Sequence, residues 1–141
     1  MVDLTIGELS NQGGVEFNTD DQIYKLLQKL EIFNGDVLII NKCMLVVPSD
    51  TKIIVYEGGK IQVSESTIFV NGDIENGGDI ILDNFGIMPV SAALTVKDKG
   101  SVYIMADSQI STNSNGTILV EDGEIVIDSD SGSISLINNL L

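Results

Sequence analysis

Gly59-Lys-Ile-Gln-Val63 is one of eight segments in which a glycine is followed, two residues later, by an isoleucine or valine that opens a short apolar run. Glycine tolerates the left-handed or tightly turned backbone that other residues resist, and β-branched residues favour a pleated strand. A turn followed by a strand, repeated through most of a chain, is typical of a solenoid of stacked coils. The other segments are Gly35-Asp-Val-Leu-Ile39, Gly72-Asp-Ile-Glu75, Gly78-Asp-Ile-Ile-Leu82, Gly100-Ser-Val-Tyr-Ile104, Gly116-Thr-Ile-Leu-Val120, Gly123-Glu-Ile-Val-Ile127 and Gly132-Ser-Ile-Ser-Leu136.

The spacing of these glycines is irregular, so the repeat is not a strict hexapeptide or nonapeptide code. It predicts an all-β fold, a single-stranded parallel β-helix (β-solenoid) with coils of about 20 residues that each hold two or three short strands. We expect five or so coils at ~4.8 Å each, occupying residues 34–141. Residues 85–95 break the pattern and contain one of the two prolines. They are expected to form a bulge, a loop or a partner contact.

An amphipathic helix is predicted over residues 20–32, ahead of the solenoid. Its apolar residues follow the i, i+3, i+4, i+7 spacing of one helix face and are Ile23, Leu26, Leu27 and Leu30. Thr19 or Asp20 can cap its first turn. A stack of coils has an open end that must be shielded, and this helix would serve as the plug. We therefore expect residues 1–33 to form N-terminal strands and a capping helix.

The charge balance restricts the partners. The chain has 141 residues, with 21 acidic side chains against 7 lysines, no arginine and no histidine, for a net charge of −14. Such a charge repels phosphate backbones and anionic lipid, so neither nucleic acid nor a membrane is an expected partner. The mean hydropathy of +0.25 is high for a chain of which 20% is charged. This excess favours apolar surface buried between subunits, in a homo-oligomer for which a trimer is favoured.

The first residues, Met-Val-Asp-Leu-Thr-Ile, have no basic start, and no run reaches the ~18 apolar residues of a membrane span. We expect no signal peptide and synthesis in a cytoplasm. The single cysteine, Cys43, lies in the apolar run 37–47 and cannot form an intramolecular disulfide. It is expected to be a small buried hydrophobe rather than a nucleophile.

Two stretches resemble known families. Thr19–Val47, with Asn34-Gly35-Asp36-Val37-Leu38-Ile39 after the predicted helix, resembles the cap and first coil of right-handed parallel β-helix proteins of the pectate-lyase and alginate-lyase type. Val47–Leu82 is similar to coils in bacterial surface adhesins and in phage fibre and tailspike proteins. The resemblance implies a fold rather than an activity, because β-helices host many unrelated functions. Bactofilin, a cytoplasmic β-helix filament protein, is a weaker comparison because this chain lacks its regular spacing.

Catalysis in the resembled families implies an arginine or lysine base with calcium, or clustered aspartates with a histidine. The chain has neither arginine nor histidine, Lys97 and Lys99 lie in a hydrophilic turn, and most of the acidic residues lie in turn segments where solvation explains them. We therefore expect no enzyme and no cofactor. Asp128-Ser-Asp130-Ser-Gly132 alternates oxygen ligands as a calcium loop does, but it lacks the bidentate glutamate and also suits a simple turn. We expect no metal site. Tyr56 and Tyr103 lie in strand-like runs, where a packed aromatic is expected rather than a sugar-binding platform.

The remaining interpretation is a protein that presents a surface and assembles. We expect a non-enzymatic structural component of a virus (phage) particle, such as a capsid decoration, head fibre or tail appendage, in contact with other particle proteins. It would be located in the virion after synthesis in the host cytoplasm. The alternative is a cellular scaffold or adhesion module, either a bactofilin-like cytoplasmic filament or a surface β-helix. The candidate contact residues are Ile87, Met88, Val90, Leu94, Leu136, Ile137, Leu140 and Leu141.

Overall fold

The computed structural model describes residues 2–5, 15–18, 23–128 and 132–135, which form an all-β parallel solenoid of about five turns. Its strands make three sheets. Sheet I contains β1 (Val2–Thr5), β5 (Asp36–Asn41), β8 (Lys60–Ser64), β11 (Asp79–Asp83), β14 (Gly100–Ile104) and β17 (Gly123–Ile127). Sheet II contains β4 (Leu30–Ile32), β7 (Lys52–Val55), β10 (Asp73–Asn76), β13 (Ala93–Val96) and β16 (Thr117–Val120). Sheet III contains β2 (Val15–Asn18), β3 (Ile23–Leu26), β6 (Met44–Val47), β9 (Thr67–Val70), β12 (Ile87–Val90), β15 (Gln109–Thr112) and β18 (Ser133–Ser135).

From β4 onward, each coil contributes one strand to each sheet and then winds back above its own start. Strands of successive coils pair in parallel, with partners 19 residues apart for Lys60 and Asp79 and 24 apart for Gln109 and Ser133. The β2–β3 pair is antiparallel. The predicted β-solenoid and its number of coils are therefore confirmed, and the varying coil length explains the irregular glycine spacing.

The core runs along the axis as aliphatic ladders. Every second residue of a central strand points inward, so that Leu38, Ile61, Ile80 and Val102 occupy matching positions in sheet I and are all buried. Burying an aliphatic side chain of this size contributes about 1.5–3 kcal/mol. The stabilisation is therefore spread evenly over the coils instead of being concentrated in one cluster.

The glycines of the repeated motif have a different role from the one predicted. Among the described motif glycines, Gly35 has a positive φ, of 89°. At Gly78 and Gly100 the requirement is close approach: an added Cβ would lie 2.4 Å from the carbonyl oxygen of Gly59 and 2.3 Å from that of Asn76. Glycine is needed there because the backbones of stacked coils come too close for any side chain.

The predicted capping helix is not confirmed. No helix occurs in the described ranges, and Ile23–Leu26 and Leu30–Ile32 form the strands β3 and β4, so the prediction is wrong over residues 23–32. β3 pairs with β6, and β4 pairs with β7. The helical spacing of the apolar residues was a coincidence: the two strands bury Leu26 and partly bury Ile23 and Leu30, whereas Leu27, at the corner between them, is 49% exposed. Within the same ranges, no helix is long and apolar enough to cross a membrane.

Residues 85–95 do not interrupt the solenoid. They contain β12 and the start of β13, both with alternating burial. Pro89 lies inside β12, opposite Ser111 of β15. On the other side, β12 pairs with β9 through Ile87 and Val90 at its two ends. A proline lacks the N–H for a full ladder, so the sheet accommodates it by leaving that pairing incomplete.

Candidate functional site

Exposed apolar side chains mark the surfaces on which function can be sought. No group of three or more His, Cys, Asp or Glu side chains that could hold a metal ion occurs among residues 2–5, 15–18, 23–128 and 132–135. In that part of the chain, the exposed large apolar residues fall into two groups and two single positions. Leu119, Val120, Val126 and Ile127 lie on the last coil, Phe33 and Tyr56 lie side by side, and Leu27 and Phe85 are separate.

The two ends of the solenoid differ. Near the N-terminal end, Val15 and Leu26 are 3% and 1% exposed. Near the other end, the inward-facing side chains become exposed to solvent. Val96 is fully buried, whereas Val120, which is paired with it in the next coil, is 44% exposed. Ile104 and Ile127 show the same contrast, 0% against 42%. The inward-facing side chains of β16 and β17, Val120 and Ile127, together with the free edges of these strands, are called the open end below, and they form an apolar cross-section of the core.

The open end also carries negative charge and an edge of backbone groups. β16 and β17 are the last strands of their sheets in the part of the chain that the structure describes, and such edges are templates for further pairing. Glu121, Asp122 and Glu124 are exposed beside them, and no lysine follows Lys99 in the sequence. Any partner at this end must offer apolar surface and tolerate these carboxylates.

The second surface is a recess between coils, called the notch below. Four residues, 56–59, connect β7 to β8, and three, 97–99, connect β13 to β14, but only Gly77 and Gly78 connect β10 to β11. The short corner is set back between two longer ones. Tyr56 and Glu57 form one wall, Lys97 and Asp98 form the other, and the groove has a volume of about 830 Å³.

An aromatic stack forms one side of the notch. The rings of Phe33 and Tyr56, in successive coils, are parallel with centroids 5.0 Å apart. They remain 53% and 39% exposed, so the sequence prediction that Tyr56 is a packed aromatic is wrong. The Tyr56 hydroxyl donates a hydrogen bond to the Glu31 carboxylate. This bond raises the pKa of Tyr56, with a smaller contribution from the nearby charge of Glu75.

An ion trio lies beside the notch on sheet II. The Glu75 carboxylate accepts hydrogen bonds from two ammonium groups, with distances of 2.7 Å from Lys97 Nζ to Oε1 and 3.1 Å from Lys52 Nζ to Oε2. The hydrogen bonds from Lys97 and then Lys52 lower the pKa of Glu75, and the bond to Glu75 raises the pKa of Lys97. Both lysines are thus engaged by one carboxylate.

Cys43 lies in a shallow depression at another corner, with Lys42, Glu65 and Phe85 on its rim. It is half-buried and packs against the core, close to the small buried hydrophobe that the sequence predicted. Burial raises the pKa of its thiol, against hydrogen bonds from the Asn41 backbone and the Ser66 side chain that lower it. The thiol is therefore protonated at neutral pH and a poor nucleophile.

The predicted contact residues do not form one surface. Met88, Val90 and Leu94 are core residues with no more than 1% exposure, so their side chains cannot reach a partner. Ile87 is half-buried on the outer face of β12. Leu136, Ile137, Leu140 and Leu141 lie outside the described residues, as does Asp130 of the calcium-like loop. Contacts through those residues stay a prediction.

The notch was missed in the sequence, although a signal for it exists. Ile32-Phe33-Asn34-Gly35 and Val55-Tyr56-Glu57-Gly58 have the same pattern: a buried aliphatic residue, an aromatic, a polar residue and a glycine with positive φ. The matching corner of the next coil, Asn76-Gly77-Gly78, has no aromatic residue and is shorter. Aligning the corners in addition to the strands would have revealed both the aromatic stack and the recess.

No match to this chain was found among protein-family models, curated proteins or solved structures.

Proposed function

We propose that this protein is a non-enzymatic structural component of a virus (phage) particle that acts by self-assembly and surface presentation, for example as a capsid decoration, head fibre or tail appendage. The observation that carries the assembly part is the exposed core cross-section at the open end, where Val120 and Ile127 are 44% and 42% exposed. Large apolar surfaces of this kind are normally covered in the working state. The proposed cover is a second copy.

The difference between the ends supports a closed assembly. Head-to-tail growth needs two complementary open ends, whereas the residues near the N-terminal end, Val15 and Leu26, are already covered. Two open ends facing each other across a two-fold axis bury the same surface on both copies, and growth stops there. This arrangement favours a particle component over the alternative function, a bactofilin-like filament. The trimer favoured by composition is the competing closed form.

The test is the molar mass of the purified protein by light scattering, for wild type and two variants of β16. Val120→Asp places a charge on the open end, and Leu119→Asp, the matched control, places one on the outer face of the same strand. Both positions are similarly exposed, at 44% and 47%. We expect a small closed oligomer that Val120→Asp reduces to monomer and Leu119→Asp leaves intact.

High salt should strengthen the association, because it screens the repulsion between the Glu121, Asp122 and Glu124 side chains of the two copies. A wild-type monomer at all salt concentrations contradicts the assembly. Open-ended growth favours the scaffold alternative, and a trimer disrupted by Leu119→Asp moves the interface to the side of the solenoid. The genes next to this one then distinguish a particle component from a cellular module.

A further inference from the structure

We propose that the notch is a binding site for the guanidinium group of an arginine side chain from another protein. This inference concerns the side of the solenoid and is independent of assembly through the open end. The partner has to be a different protein, because this chain contains no arginine.

The notch offers an aromatic face on which a planar group can stack. One face of the Tyr56 ring is covered by Phe33 at 5.0 Å, and the other face is turned toward the next coil. At the matching position that coil has Gly77, which offers no side chain. The corner of the coil beyond, at Lys97 and Asp98, is two coil spacings from Tyr56, about 9.6 Å. The groove is lined by Tyr56, Glu57, Lys97 and Asp98, so a flat group placed against Tyr56 on this side would continue the stack begun by Phe33.

The charges of the notch favour a cation. The carboxylates of Glu31, Glu57, Glu75 and Asp98 surround it, against the ammonium groups of Lys52 and Lys97. Both ammonium groups are bound to Glu75, and Glu31 is paired with the Lys29 ammonium at 3.7 Å, which leaves the carboxylates of Glu57 and Asp98 in excess. Within the described residues, Glu57 and Asp98 take part in no hydrogen bond or ion pair. The Asp98 side chain lies over Gly77, with its Cβ and one carboxylate oxygen 3.4 Å and 3.6 Å from the point that a Gly77 Cβ would occupy, and it lines the groove.

Guanidinium fits these features better than the other candidates. It is planar, it stacks on aromatic faces, and its fork of N–H donors binds carboxylates in two-point contacts. A lysine ammonium is a compact, strongly hydrated charge that gains less from an aromatic face. A sugar ring can stack on Tyr56, but it cannot neutralise the excess carboxylates. These alternatives define the controls.

The test is a titration of the labelled full chain, followed by NMR, with arginine amide, lysine amide and citrulline amide. Citrulline has nearly the shape of arginine without its charge. We expect arginine amide to shift the signals of Tyr56, Gly77 and Asp98, with weaker binding of lysine amide and none of citrulline amide. Tyr56→Leu removes the aromatic face while keeping apolar bulk, and should weaken arginine binding about tenfold.

The overall charge of −14 attracts any cation, so the carboxylate variants need a matched control. The double variant Glu57→Gln/Asp98→Asn should lose arginine binding, whereas Asp50→Asn/Glu65→Gln, with the same change in net charge, should keep it. Equal losses in the two double variants, or equal binding of citrulline, would overturn the proposal. All four substituted side chains are exposed, and circular dichroism checks that each variant is folded. Repeating the titration with Val120→Asp separates this site from the proposed assembly.

Discussion

Asn76 is a buried polar residue in an otherwise aliphatic ladder. It lies between Val55 and Val96 in sheet II and is fully buried. Its side-chain nitrogen donates to the Ser101 carbonyl at 2.9 Å, and its side-chain oxygen accepts from the Gly78 N–H at 3.1 Å. The amide therefore links sheet II to the next coil of sheet I and satisfies the backbone at the shortened corner.

Replacing Asn76 should be costly in spite of its apolar neighbours. Asn76→Ala leaves the Ser101 carbonyl and the Gly78 N–H without their side-chain partner in the core, and we expect a loss of about 2–4 kcal/mol in the free energy of unfolding. Urea denaturation measures it. Asn71→Ala, at an exposed corner, is the control and should change stability by less than about 0.5 kcal/mol. A similar small loss for Asn76→Ala would mean that water replaces the amide.

The corners also show why sequence rules gave an incomplete account at the residue scale. Lys42, Glu65 and Asp107 have positive φ values of 54°, 49° and 60°, a conformation normally assigned to glycine. For a residue other than glycine, this left-handed backbone conformation costs about 1–2 kcal/mol in isolation. The conformation is imposed here by contacts with the coils above and below. A rule based on residue type cannot identify these positions, because their cause is contact between residues more than 20 apart.

At the scale of elements, the strands were predictable and the first coil was not. Runs such as Ile61 and Val63, or Ile80 and Leu82, alternate with the period of two that belongs to a half-buried strand. Residues 23–32 contain a leucine-rich stretch that suits a helix in isolation. It forms β3 and β4 because the edges of β6 and β7 are there to pair with. Tertiary pairing overrides local propensity where the segments are this short.

One ion trio links three successive coils along sheet II. Lys52, Glu75 and Lys97 belong to β7 and β10 and to the corner after β13, and thus to three successive coils. Exposed pairs of this type contribute only about 0–1 kcal/mol each. Their effect is therefore best detected through its dependence on pH.

The pKa of Glu75 is lowered from its ordinary value of 4.5, so its ionised form is favoured in the folded state. Its contribution to stability is complete above pH 4.5 and is lost as the pH falls through the lowered, folded-state pKa. Glu75→Gln should be less stable than wild type at neutral pH, and the difference should vanish in acid. Urea midpoints across this range measure it. Glu57→Gln has the same change in net charge, and an identical pH profile for it would exclude the ion trio as the cause.

At the scale of the whole molecule, a solenoid is stabilised by contacts between neighbouring coils, so the two ends set its weak points. The covered N-terminal end and the exposed C-terminal coil predict unequal fraying. The coil formed by β16 and β17 has few buried side chains, whereas the inward-facing side chains of the central coils are fully buried. Sequence composition indicated excess apolar surface, but which end exposes it depends on the fold.

Hydrogen exchange should reveal this polarity. At a concentration where light scattering gives the mass of a monomer, amides of Ile61, Ile80 and Val102 should exchange slowest, and those of Val120 and Ile127 at least tenfold faster. Raising the protein concentration should slow exchange at the open end selectively if two copies meet there. Uniform protection at all concentrations would show that the last coil is as stable as the centre.

The covered end has a bearing on how the chain is made. Ribosomes release a polypeptide from its amino terminus, so the capped coil containing Val15 and Leu26 emerges before the coil that contains Val120 and Ile127. Each later coil can pair with the coil before it, and the exposed apolar surface at the open end is completed last. Nascent chains that are close together on one messenger RNA therefore do not present a formed open end to one another until their folding is nearly complete.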